Sequence, residues 1–60
     1  MVLKNLLKIR ELQNMTQQHL AEKTLMTSRS IAYYEAGKGC PLNTGKRIAK
    51  ALKCKLEELI

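Results

Sequence analysis

Sixty residues carrying eleven Lys and Arg against five Glu give a formal net charge of +6 and a pI near 9.7. A chain of this length forms one small domain that buries only about 60% of its unfolded surface. Its basic balance favours a polyanionic partner, either nucleic acid or an anionic membrane surface. Cys40 and Cys54 are too few for a disulfide framework and show no CxxC spacing, and the lone His19 completes no zinc set. Two reduced thiols are therefore expected, with no metal and no cofactor. Lys4 and Lys8 interrupt the short apolar run at the N-terminus, so no signal peptide is expected. No apolar stretch approaches the roughly 18 to 20 residues of a membrane span, and the expected location is the cytoplasm.

Apolar residues recur at helical spacing along nearly the whole chain. Leu3, Leu6, Leu7, Ile9 and Leu12 define a first amphipathic helix over residues 2–13, which Asn14 closes in the left-handed conformation. Thr16 caps a second helix reaching about Lys23, with Leu20 and Ala21 inward. Thr27 caps a third over Ser28 to Ala36, with Ile31 and Tyr34 inward and Gly37 as its stop. Lys38 to Asn43 read as a loop around Gly39 and Pro41. A fourth helix over Thr44 to Leu52 buries Ile48, Ala49 and Leu52. A fifth begins near Leu56 and turns Leu59, with Ile60 beside it, toward the core. The expected fold is all-α, five short helices around one core, without repeats or linkers.

The second and third helices have the character of a helix-turn-helix, in which one helix crosses the other steeply and projects into the DNA major groove. The crossing needs a small residue, and Ala21 supplies it. Met26, Ile31 and Tyr34 anchor the third helix, leaving Ser28, Arg29, Ser30, Ala32 and Tyr33 outward. Met15 and Met26 read as core fillers. The pieces LLKIRELQNMTQQHLAEK, TSRSIAYYEAG and RIAKALKCKLEELI together resemble the lambda-repressor-like (Cro/CI, XRE) helix-turn-helix family over nearly the whole chain, with the motif at about 17–36.

That resemblance implies roles. Ser28, Arg29 and Tyr33 fall where the family reads base edges, although Tyr33 could equally pack on the surface. Gln17 matches the family's phosphate-contacting glutamine at a helix N-terminus, where anions bind well. Ser30, Lys38 and Asn43 are the further phosphate contacts expected. Arg10 and Glu35 match an ion pair that ties the first helix to the end of the third. Lys46, Arg47, Lys50, Lys53 and Lys55 are divided between a phosphate-facing surface and plain solvated charge. Two departures stand out. Leu25 takes the turn position usually held by glycine, after Thr24 in place of a core leucine, and the turn is expected to be reshaped so that Leu25 packs inward. Gly45 replaces a large apolar residue, with a ring from Tyr33 or Tyr34 expected to fill the space.

The resulting expectation is a sequence-specific DNA-binding regulator, a repressor, that binds palindromic double-stranded DNA as a homodimer. The competing readings are a protein-interaction module on the same fold, such as an antitoxin or anti-activator, and an amphipathic membrane peptide. Turns at Asn14, Gly37 and Pro41 disfavour the peptide by dividing the chain into packed helices. His19 has neither a nucleophile nor metal partners near it in sequence, and reads as a solvated helix residue rather than part of an enzyme.

Overall fold

A computed structural model describes residues 1–60. Five helices follow one another: α1 (Leu6–Leu12), α2 (Gln17–Thr24), α3 (Ser28–Glu35), α4 (Leu42–Ala51) and α5 (Leu56–Leu59). Leu3, Leu6, Leu20, Ala21, Ile31, Ile48, Ala49, Leu52 and Leu59 join Cys40 in the core. Met15, Met26 and Tyr34 are half-buried against it.

Local chemistry explains most of the boundaries. The Thr16 and Thr27 hydroxyls accept from the backbone N–H of His19 and Ser30, each satisfying a donor that the helix itself leaves free. Three helices close by the same device, a left-handed residue followed by a long backbone bond back into the last turn. At α1 it is Asn14 (φ 57°), with Met15 N–H donating to the Arg10 carbonyl. At α2 it is Leu25 (φ 57°), with Met26 donating to Ala21, and at α4 it is Lys53 (φ 54°), with Cys54 donating to Ala49. Only α3 uses glycine, Gly37 at φ 97°.

The structure corrects five expectations. First, α1 begins at Leu6, not residue 2. Val2 forms an isolated antiparallel bridge with Gly39, and the Met1 carbonyl accepts from Cys40 N–H at 2.7 Å. Leu3 is buried from this extended arm, so its spacing from Leu6 only mimics a helical period, and Leu7 and Leu12 are exposed. Second, α4 starts at Leu42, because Pro41 (φ −64°, ψ 154°) already has the geometry of a helix-entry residue, so Asn43 lies in the first turn instead of a loop. Third, Leu25 does not turn inward. It accepts the left-handed conformation and stands 91% exposed. Thr24 takes the buried place, its hydroxyl donating to the carbonyls of Leu20 and Ala21. Fourth, no tyrosine fills the space at Gly45. A β-carbon there would lie 3.1 Å from both Leu56 Cδ1 and Met1 Sδ, and 3.8 Å from Cys40 Sγ. Fifth, Ile60 is exposed rather than part of the core.

Candidate nucleic-acid interface

Ala21 is wholly buried where α2 crosses α3, and its methyl allows the close approach. Ile31 is also wholly buried and fixes the inner face of α3, flanked by half-buried Met26 and Tyr34. On the opposite face Arg29 and Tyr33 are exposed, while Ser28, Ser30 and Ala32 are half-buried. Tyr33 is 54% exposed and rests edge-on against Tyr34, with ring centroids 5.6 Å apart. The ring is thus packed against Tyr34 on one side and open to solvent elsewhere. The Thr27 hydroxyl donates to Ser30 Oγ at 3.1 Å, leaving the Ser30 proton available to an outside acceptor.

Arg10, in the last turn of α1, donates from Nε to Glu35 Oε2 at 2.5 Å and from Nη2 to Oε1 at 3.2 Å. Its Nη1 donates to the Met15 carbonyl at 2.6 Å. Both side chains are nearly solvent-free, at 9% and 6% exposure. The Glu35 hydrogen bond holds the guanidinium pKa above its usual value against the opposing effect of burial. Gln17 joins the pair, donating from Nε2 to Glu35 Oε1 at 2.8 Å. Its side chain is therefore engaged with protein, and what α2 offers outward at this point is the backbone N–H of Gln17 and Gln18, which have no partner in the chain. The network also uses up the only acidic group of α3, so the helix presents no free negative charge.

Every helix start leaves such donors free, those of α3 and α4 among them. The backbone N–H groups of Ser28 and Arg29 are unpaired. So are those of Leu42, Asn43 and Thr44, since Pro41 has no side chain able to cap α4. Such turns attract anions through free N–H groups and the helix dipole. Lys38 is exposed between α3 and α4, and Asn43 is exposed in the first turn of α4. His19 is exposed, and no group of three metal-ligating side chains exists.

A protein-family model described as Helix-turn-helix matches residues 6–59. The chain belongs to the Cro/CI-type helix-turn-helix family. No curated protein is significantly similar to it. In this helix-turn-helix, α2 and α3 are the paired helices, and family membership marks the chain as a DNA-binding regulator. No helix is long and apolar enough to cross a membrane.

Residues that sequence spacing did not bring into this arrangement are Met15, whose carbonyl completes the Arg10 site, and Arg47, whose Nη1 donates to the Thr24 carbonyl at 3.3 Å. No signal in the chain marks either contact, because a carbonyl acceptor has no side-chain signature.

Proposed function

We propose that residues 1–60 form one domain that binds DNA sequence-specifically as a transcriptional repressor, reading the major groove with α3. Ser28, Arg29 and Tyr33 read base edges. The backbone at Gln17, together with Ser30, Lys38 and Asn43, holds phosphates. Arg10 and Glu35 fix the angle between α1 and α3. The observation that supports this most strongly is the charge on α3: Arg29 is exposed, Lys38 follows, and Glu35 is sequestered by Arg10 and Gln17. A surface meant for a basic or apolar protein partner would carry the opposite character.

One recognition helix touches too few base pairs to select a site among the roughly 10⁶ or more competitors in a genome. Two copies on a palindromic operator double the contacts, with half-site centres about 10 base pairs apart. A body of 22 × 19 × 18 Å seated on a promoter would exclude other proteins from the same groove, which supports repression. Selection of binding sites from random duplex DNA tests the reading. A motif with two inverted half-sites supports it. Recovery of no enriched motif would point to the protein-interaction alternative, and a single unrepeated half-site would remove the dimer.

A further inference from the structure

Lys23, Arg47, Lys50 and Lys53 line a concavity of about 400 Å³ between the C-terminal ends of α2 and α4, with Ala51 as its only other wall. No carboxylate lines it. The single ion pair of the molecule, Arg10–Glu35, lies elsewhere, so none of these four cations is neutralised. Two acidic side chains near its walls in sequence are engaged with other groups. Glu22 accepts from Gln18, and Glu58 accepts from the Lys55 backbone at the start of α5.

Helix dipoles explain part of the arrangement. Lys23 and Lys50 stand in last turns, where a cation is favoured. Arg47 satisfies the Thr24 carbonyl, one of the acceptors left free at the end of α2. The same dipole favours a cation at Lys53, just past the end of α4, but does not account for lysine at a left-handed position that asparagine or glycine takes more easily. Nor does either effect explain four like charges converging without an acid among them.

We infer that this cleft is a second phosphate-binding site, one that holds DNA backbone independently of base readout by α3. Lysine ammonium groups are point charges suited to phosphate oxygens. Protein interfaces, by contrast, are depleted in lysine and rely on aromatic and apolar anchors, which this cleft lacks. Lys23 lies six positions beyond Gln17, about 9 Å along α2, and just before the turn into α3. The cleft therefore meets a different stretch of backbone from the Gln17 end. The inference rests on the reading that α3 enters DNA.

The test is a triple variant, Lys23→Gln, Lys50→Gln and Lys53→Asn, all at exposed positions, with asparagine chosen for its tolerance of positive φ. Lys4→Gln just before α1 with Lys8→Gln on α1 controls for net charge alone. Binding is measured from low to moderate salt on a 30-base-pair duplex carrying the selected site, on a scrambled duplex, and on the site trimmed of its flanks. Three lost phosphate contacts in each copy should lower the salt slope by about 2 to 3 units per subunit, at 0.9 per phosphate. The ratio of selected to scrambled affinity should stay the same, and the α1 control should change the slope far less per charge. Loss confined to the long duplex assigns the phosphates to flanking DNA, and loss on both assigns them to the operator; either upholds the site. An unchanged slope overturns it and makes the cations plain solvated charge. An unchanged slope with weakened capture of polyglutamate overturns it in favour of an acidic protein. If the parent protein binds no duplex at all, the reading of α3 fails first.

Discussion

Replacing Glu35 by alanine should remove a large share of the domain's stability, although Glu35 is not one of the core hydrophobic residues. The substitution removes two of the three acceptors of the Arg10 guanidinium and leaves only the Met15 carbonyl. Gln17 loses its acceptor in the same step. A buried charge stripped of its partner costs about 3 to 5 kcal/mol. A 60-residue domain has only about 3 to 9 kcal/mol in total, at 0.05 to 0.15 per residue. With 4 to 8 °C lost per kcal/mol in a domain of this size, the melting temperature should fall by at least about 12 °C. Removing both charges is a different matter. In Arg10→Met with Glu35→Leu the unpaired charge disappears, and such replacements are often neutral or stabilising. Circular dichroism melts of the parent, both single variants and the double variant give the coupling directly. A Glu35→Ala melt within about 3 °C of the parent would show that the pair contributes little. A double variant as unstable as Glu35→Ala would show that shape, not charge, is what the site supplies.

Leu25→Gly should raise stability by about 0.5 to 1 kcal/mol, because Leu25 is 91% exposed at φ 57° and gives up strain without losing packing; a lower melting temperature contradicts this. Gly45→Ala should stay within about 0.5 kcal/mol of the parent in urea unfolding, the helix gain offsetting the push on Met1 and Leu56, whereas Gly45→Leu should dislodge α5. Burial raises the pKa of both thiols, opposed at Cys40 by the N-terminal ammonium and reinforced at Cys54 by Glu58. A folded-state pKa above the unfolded value of about 8.5 means that the thiol contribution is complete below that pH and lost as pH climbs through the folded value. Cys40→Ala with Cys54→Val should therefore flatten the fall in stability as pH climbs above about 8.5 while leaving DNA affinity unchanged, and a parent-like fall in the variant counts against it.

Helix type and helix ends were legible wherever the determining interaction is local. Thr16 and Thr27 act on residues three positions away, and Asn14 and Gly37 act on the turn just before them. What escaped depends on contacts across the chain. The start of α1 is decided by Val2 meeting Gly39, and the packing of Gly45 by Met1 and Leu56 arriving from the two ends. At Leu25 a penalty near 1 kcal/mol suggested that the turn would bend to avoid it, but the bond from Met26 to Ala21 fixes the turn and the side chain goes to solvent. The site divides in the same way. The inner anchors of α3 follow from its period, whereas half-burial of Ser28 and Ser30 and the engagement of Gln17 with Glu35 are tertiary facts. The cationic cleft joins Lys23 to residues 24 and more positions later, a proximity that no local pattern displays.

The central claim, that α3 reads bases while its flanks hold the backbone, is tested most directly by comparing Arg29→Ala with Lys38→Ala. Arginine can bond guanine O6 and N7 together, a pairing that discriminates by about 1 to 3 kcal/mol. Both variants are titrated against the selected duplex and a scrambled one at several salt concentrations. Arg29→Ala should weaken the selected duplex far more than the scrambled one and relax the preference at one base pair. Lys38→Ala should weaken both about equally and lower the salt slope by about one unit per subunit. Equal weakening of both duplexes by Arg29→Ala would make Arg29 a phosphate contact and contradict the assignment of this helix face to base readout.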